Sequence, residues 1–417
     1  MVLQLVEWLG SGTSLLAIAI AVVVLLLLRA TKKKQPAKPT GFPRPRLFKR
    51  TPNLKVLTKK TGKQYLVIGG SGFLGSHLVE ALLARGETRI RIFDLQNNPL
   101  FDHDPSVEFI KGNILNSQQL SKACQGVHVV FMPAALVDYW SRLSFQYERM
   151  HAVNVVGMEN VIAACQENGV EKLIQTSSSA VLLDAKSLQH GGVDETTPYT
   201  KNPPGHYSRT KVLAEKAVLA ANGKRGLSTI AIRPNALFGP RDGIMTELVY
   251  INGELGPLLG YTNKQDWIYI ENVVHGHLCA EEKLAPGSPV AGKAYCISPD
   301  RPMSYFEFWK DVVKYMHAAK TADGSELVYL KPAVSYPLAT IFEFVSWLTR
   351  GKLKAEALKL TLPVLRYARA EIYFNDSKAR KELGYHPVYT MEESFHRLEE
   401  YYFPDGEEGK SRKERQH

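Results

Sequence analysis

The stretch YLVIGGSGFLGSHLVEALLARG, Tyr65 to Gly86, decides how the rest of the chain is read. It opens on an apolar run of strand character and passes into helical spacing from about Gly75. Between the two stand Gly69, Gly72 and Gly75. At a strand-to-helix turn the first glycine permits a tight reversal, the second lets backbone approach a pyrophosphate, and the third lets helix and strand pack closely. The N–H groups of the helix start, Phe73 and Leu74 among them, then face the phosphates. A glycine pattern alone also suits an ordinary turn. Here Asp94 closes the next apolar strand, RIRIFD, at roughly the 20-residue spacing of an acid that hydrogen-bonds an adenosine ribose. Such an acid repels a 2′-phosphate and favours NAD; Arg91 on the same strand leaves NADP open.

Outward from this unit, short apolar segments alternate with helical ones. YLVIGG, RIRIFD, VHVVFMPAA, EKLIQTSS and LSTIAIRP read as strands, and GSHLVEALLARG, NSQQLSKAC and NVVGMENVIAACQENG as helices. That alternation predicts an α/β fold with a doubly wound parallel Rossmann sheet. After about residue 236 the regularity decays into mixed loops and helices, which predicts a smaller C-terminal substrate-binding part. Within it, Ser335 to Lys352 is apolar but carries Glu343. This suits an amphipathic helix on a bilayer or at a greasy entrance, or one packed into the core, better than a membrane span.

The chain has 417 residues, 45% hydrophobic and 22% charged, enough for one large domain or two smaller ones. Its net charge of +11 invites a nucleic-acid reading until the charge is located. Residues 29–60 hold 12 Lys/Arg and no acid, against 52 and 41 in the whole chain, so the body is close to neutral and no nucleic-acid partner is expected. The basic segment follows Ser14 to Leu28, an uncharged apolar run that reaches the roughly 20 residues of a bilayer-crossing helix when Gly10 to Thr13 are added. Glu7 and the lack of a small-residue cleavage site disfavour a signal peptide. The lysines after the run place the body on the cytosolic side. Cys124, Cys165, Cys279 and Cys296 are scattered without zinc spacing, as in a reducing compartment. His275 and His277, two apart, do not share a helix face, and no metal is expected. The expected divisions are an anchor at 1–31, a basic Pro-rich linker at 32–63, a dinucleotide-binding domain at 64–235, a mixed substrate-binding region with elements returning to the sheet at 236–403, and a charged tail at 404–417.

A second constellation bears on chemistry. In HYSRTKVLAEKAV, Tyr207 and Lys211 lie four apart at a helix start and project from one face. A phenol is a poor base at neutral pH, and a nearby ammonium favours its phenolate. Upstream, QTSSSAV ends a strand with three serines, any of which can place a hydroxyl beside a substrate oxygen.

Over nearly all of residues 64–400 the chain resembles the extended short-chain dehydrogenases/reductases, in particular their 3β-hydroxysteroid dehydrogenase branch. The resemblance rests on GGSGFLG, Asp94, NVVGMENVI (Asn154 to Ile162), TSSSAV, YSRTK, and IRPNALFGPRD (Ile232 to Asp242). It extends through IYIENVVHGHLCA (Ile268 to Ala280) and YFNDSKARKELGYHP (Tyr373 to Pro387), which look most like sterol-4α-carboxylate 3-dehydrogenases. It implies Tyr207 as general base, Lys211 as the residue that binds ribose and tunes the tyrosine, and Ser178 as the hydroxyl that orients substrate, with Ser177 or Ser179 open. Asn154 resembles the asparagine that supports the active-site helix and its proton relay; helix capping is the plainer reading. Asn113 and Ile114 fall near adenine, and Ala134, Ala135 and Pro234 beside the cofactor. Two departures stand out: Asn113 replaces the usual acid, and FMPAA lacks the usual histidine before its alanines. The implied activity is NAD(P)-dependent oxidation of a sterol or steroid 3β-hydroxyl at the endoplasmic reticulum membrane, with decarboxylation of a 4α-carboxylate. A 3β-hydroxysteroid dehydrogenase/isomerase, another enzyme of the fold such as an epimerase or dehydratase, and a silent membrane-tethered NAD-binding protein are the rivals. A homodimer is compatible with the resemblance.

Overall fold

The protein is described by a computed structural model over residues 50–403, except 52, 139–142, 185–188, 244–257, 317–328 and 351–359. The expected anchor, most of the basic linker and the charged tail lie outside the described residues. Among the described residues, no helix is long and apolar enough to cross a membrane.

With strands numbered in chain order, the central sheet contains β1 (Tyr65–Ile68), β2 (Ile90–Asp94), β3 (Val107–Lys111), β4 (Val129–Met132), β5 (Lys172–Thr176), β7 (Ser228–Arg233) and β11 (Lys293–Cys296). All pair in parallel, in the order β3-β2-β1-β4-β5-β7-β11. The central strands are nearly continuous apolar runs because both faces are covered. Tyr65 and Val67 of β1 face α1 (Phe73–Ala84), while Leu66 and Ile68 face the opposite core with α2 (Ser117–Cys124). On that second face a continuous helical run comprises α3 (Tyr147–His151), a π-helical turn (Ala152–Val156) and α4 (Gly157–Glu167). It is followed by α5 (His206–Ala220), and the first face is completed by α6 (Ile270–Lys283). The helix expected from Asn154 therefore begins earlier, at Tyr147. β3 and β11 escape a search for apolar runs: β3 is an edge strand reading VEFIK, half-exposed with two charges, and β11 is a buried run of only four residues, KAYC, that opens on a lysine.

Two small sheets sit beside the main one. β8 (Ala236–Phe238) pairs with β10 (Trp267–Tyr269), and β6 (Gln189–Val193), β13 (Glu371–Phe374), β9 (Lys264–Gln265) and β12 (Met303–Ser304) form the other. The two halves of the chain exchange strands: β11 closes the main sheet against β7, and β6 pairs with β13. The later helices are α7 (Tyr305–Tyr315), α8 (Pro332–Leu348), α9 (Leu362–Arg369) and α10 (Met391–Tyr402). Residues 53–63 are irregular and strapped to the body, where Glu87 accepts from the Thr61 N–H at 2.7 Å and the Gly62 N–H at 2.9 Å.

Candidate active site

At the end of β1, Gly69 has φ of +87°, and a Cβ there would come 2.8 Å from that of Ala134. Its absence lets the Ala134 N–H donate to the Ile68 carbonyl at 3.1 Å, where β1 and β4 diverge. In a doubly wound sheet this divergence is the ligand-binding crevice. Gly75 is still more constrained, since a Cβ on it would lie 2.0 Å from the Gly69 oxygen. The first intrahelical bond of α1 is Ser76 N–H to the Gly72 carbonyl, 2.9 Å, so the N–H groups of Phe73, Leu74 and Gly75 precede it. No side chain caps this helix start and no acid stands in its first turn. The cradle thus fits a diphosphate by shape and by its unfilled donors.

Asp94 ends β2 beside the cradle, with one carboxylate oxygen accepting from the Ser71 N–H at 3.0 Å and the other from the Leu95 N–H at 2.7 Å. Lone pairs remain on both for ribose hydroxyls. Arg91 is drawn away: it donates to Glu108 at 2.8 Å and to the carbonyls of Ala123 and Gln125 at 2.6 and 3.1 Å, and it does not line the cavity. Asn113 spends its side-chain oxygen on the Leu115 N–H, 2.9 Å.

One cavity of about 1040 Å³ runs from this cradle to the far wall. Gly69, Gly72, Phe73, Leu74, Gly75, Asp94, Asn113, Ile114, Ala134, Ala135, Ser178, Tyr207, Lys211 and Pro234 all line it. Asn154 alone of the expected site residues does not. Its side-chain oxygen accepts from the Leu136 N–H at 2.7 Å, and its amide donates to the Leu136 carbonyl at 3.0 Å and to Thr210 Oγ1 at 3.1 Å. Asn154 therefore ties the loop after β4 to α5 from within a π-helical turn, and it is not a helix cap.

Tyr207 is buried on the first turn of α5, against Met150 and Ala180. One turn on, the Lys211 ammonium donates to the Thr176 carbonyl at 2.6 Å. Burial lowers this ammonium to a pKa of about 8, against the pull of Glu215. The three serines have different partners. Ser177 donates to Glu215 and Ser179 donates to Asn235 at 2.7 Å, whereas Ser178 only accepts, from the Ala180 N–H at 3.2 Å. Ser178 thus keeps its proton for an oxygen in the cavity. Behind them, Glu215 takes Arg233 through Nη2 at 2.6 Å and Nε at 3.0 Å, and Tyr199 at 2.7 Å. Burial by itself would raise the Glu215 carboxyl, but the charge and hydrogen bonds of Arg233, with those of Ser177 and Tyr199, together leave it lowered.

The far wall comes from the C-terminal half: Leu258, Leu259, Trp267, Tyr305 and Trp309, with Val364, Tyr367 and Ala368 of α9. Trp267 lies 5.4 Å from Tyr305 and 6.1 Å from Trp309 between ring centroids. Local sequence patterns did not find these aromatics because they converge from three separated elements. The Glu215 contact did leave a signal, as the residue lies one helical turn beyond Lys211. Of the aromatic-rich segment Leu136 to Met150, the residues Leu136, Val137 and Arg149 line the cavity, and Tyr139 to Arg142 lie outside the described residues. Among the described residues no group of three or more His, Cys, Asp or Glu is placed to hold a metal. His277 bonds Thr176 Oγ1 and the Val273 carbonyl, both at 2.8 Å.

Comparison with known proteins agrees with this geometry. Residues 66–323 match the 3-beta hydroxysteroid dehydrogenase/isomerase family. The chain is 35% identical to the sterol-4-alpha-carboxylate 3-dehydrogenase, decarboxylating, of Mus musculus, over 80% of this chain and 90% of that one. It is also 35% identical to a 3-beta-hydroxysteroid dehydrogenase of Mycolicibacterium neoaurum, over 81% and 90%. A solved dTDP-glucose 4,6-dehydratase from Streptomyces venezuelae with NAD bound superimposes with a TM-score of 0.60 at 19% identity, over 81% and 96% of the two chains, a likeness of fold alone. The chain belongs to the 3-beta hydroxysteroid dehydrogenase/isomerase family, NAD(P)-dependent oxidoreductases of CH–OH groups built on the extended short-chain dehydrogenase fold.

Proposed function

We propose that this chain is a membrane-anchored, NAD-dependent dehydrogenase that oxidises the 3β-hydroxyl of a sterol, its substrate being a sterol 4α-carboxylate. The observation that carries the reading is the continuity of one cavity, with Tyr207, Lys211 and Ser178 between a diphosphate cradle and an aromatic, aliphatic wall. A wall of this kind suits a flat apolar ring system. A sugar nucleotide would want more cations than Arg149 and Lys211, the two among the described lining residues.

Gly72, Phe73 and Leu74 would hold the diphosphate of NAD, and Asp94 its adenosine ribose. Bound there, the nicotinamide ring accepts a hydride from the carbinol carbon. Ser178 donates a hydrogen bond to the hydroxyl oxygen and positions it. Tyr207 removes the hydroxyl proton as that oxygen becomes a carbonyl, and the Lys211 ammonium, steadied by the Thr176 carbonyl, favours the phenolate form needed. Asn154 keeps α5 in register with the loop bearing Leu136. If a carboxylate sits on the adjacent carbon, the product is a β-keto acid. It loses CO2 as the C–C bonding pair moves toward the new carbonyl, so no separate residue is needed for that step.

The apolar run Ser14 to Leu28 supports a bilayer anchor, with the body on the cytosolic side of the endoplasmic reticulum. Phe344, Trp347 and Leu348, more than half exposed on α8, support a further contact with lipid. That helix touches the cavity wall through Glu343, which accepts from the Leu362 N–H at the start of α9, 2.8 Å.

The test is turnover of detergent-solubilised full-length protein with NAD and paired 3β-hydroxysterols, with and without a 4α-carboxyl. NADH formation with CO2 release from the acids is the expected result. Production of a double-bond-shifted ketone from simple steroids would instead assign the isomerase activity. Tyr207→Phe should bind NAD normally and lose about 10²- to 10⁴-fold in kcat. Undiminished turnover in that variant would remove Tyr207 from the mechanism.

A further inference from the structure

Four charged side chains line the cavity among the described residues: Asp94, Arg149, Lys211 and Asp242. Asp94 is engaged by two backbone N–H groups, and Lys211 by the Thr176 carbonyl. The Arg149 side chain makes no hydrogen bond or ion pair with any described residue. It is an exposed cation lining a largely apolar chamber, and no ion pair with another described residue accounts for it.

Its place along the helical run says which end of the chamber it serves. Gly157, on the same run, lies against Ile114 so closely that a Cβ would come 2.6 Å from the Ile114 methyl, which marks the adenosine end. Arg149 lies eight residues before it, about 12 Å along a helix axis. At that end the run flanks the tyrosine. Met150 packs with Tyr207, and the Tyr147 ring lies 5.2 Å from His206, just before that tyrosine, and 4.8 Å from the guanidinium of Arg209, two residues after it. Tyr147 points back toward α5. Arg149 shares its helix face with Ala152 and Val153, three and four residues on, which also line the cavity. The diphosphate already has its donors at the start of α1, so this guanidinium faces the reacting half of the chamber.

We propose that Arg149 is a specificity-determining residue that receives a carboxylate carried by the substrate beside its carbinol carbon, so that the cavity selects the acid over the neutral alcohol. The inference rests on the sterol reading above and assigns the acid's partner. A guanidinium presents two parallel N–H groups to a planar carboxylate, and the pair gains strength where greasy walls exclude water. Loss of a hydrogen bond to a charged group is worth about 10- to 100-fold in affinity.

The experiment compares full-length wild type, Arg149→Gln and Arg149→Lys in detergent, with two 3β-hydroxysterols identical but for a 4α-carboxyl. Binding of each sterol is read from quenching of tryptophan fluorescence, since Trp267 and Trp309 line the chamber; NAD affinity comes from calorimetry and kcat and KM from NADH formation. Wild type should bind the acid more tightly. Arg149→Gln should weaken the acid about 10- to 100-fold, chiefly in KM, and leave the neutral sterol and NAD unchanged; Arg149→Lys should recover part of the loss. An acid-to-alcohol binding ratio unaltered by Arg149→Gln overturns the assignment, as does a loss of NAD affinity in its place, which would make Arg149 a phosphate contact. Absence of turnover with either sterol would defeat the proposed dehydrogenase reaction, and the binding ratio would still decide the role of Arg149.

Discussion

Burial holds the Lys211 ammonium at a pKa of about 8, well under a free lysine. Below that pH the side chain is charged and favours the Tyr207 phenolate; above it the charge is lost. Oxidation needs the tyrosine deprotonated, so kcat/KM should rise with pH and then fall as Lys211 discharges near 8. Lys211→Arg keeps its charge at every accessible pH, and the falling limb should disappear from its profile. A limb left unmoved in steady-state measurements from about pH 6 to 10 would mean that another group titrates there. The same residue shows what local sequence can and cannot reveal. That Tyr207, Lys211, Asp94 and the three glycines share one cavity was legible because spacing within one helix, one turn or one strand–helix–strand unit fixes their relation. The choice among Ser177, Ser178 and Ser179 was not, since their partners Glu215 and Asn235 lie 38 and 56 residues away.

At the level of elements, α5 is fastened to β7 by the Glu215–Arg233 pair, nearly sealed from solvent on both sides. Removing one partner of a buried pair leaves the other charge stranded, at a cost of about 3–5 kcal/mol. Glu215→Gln should therefore lower Tm by roughly 5 °C in scanning calorimetry and weaken activity through displacement of α5. A shift of only a degree or two would show that the Tyr199 ring, 5.5 Å from the guanidinium, suffices to hold Arg233. The run from Tyr147 to Glu167 was legible as a helix only from Asn154 onward. The reason is physical: the π-helical turn at Ala152–Val156 breaks the regular 3.6-residue spacing, so α3 falls out of phase with α4. The edge strand β3 was missed for a related reason, because a half-solvated strand needs no unbroken apolar run, whereas β11 is buried but only four residues long and opens on a lysine.

For the whole molecule, the exposed side chains of α8 bear on how a lipid substrate arrives. The Phe344 and Trp347 rings lie 6.0 Å apart on that helix, and Arg369 of α9 clips it down by donating to Ser335 Oγ at 2.9 Å. If α8 rests on lipid, a Phe344→Ser/Trp347→Ser variant should show a KM raised several-fold for sterol supplied in vesicles but unchanged for sterol supplied in detergent micelles. Equal KM values in both media would leave α8 a plain packing element. The sheet could be anticipated from alternating apolar runs, and C-terminal elements were expected to return to it, but not the pairing of β6 with β13, which find each other across some 180 residues. That weave has a mechanical consequence. Because each exchanged strand is held within the sheet it joins, any movement of one sheet against the other must bend the connections that cross between them, leaving the β11–β7 and β13–β6 pairings whole. Nor can the polypeptide be divided into independently expressible pieces: each fragment would be born with a missing plank, and only co-refolding of both should restore a soluble particle.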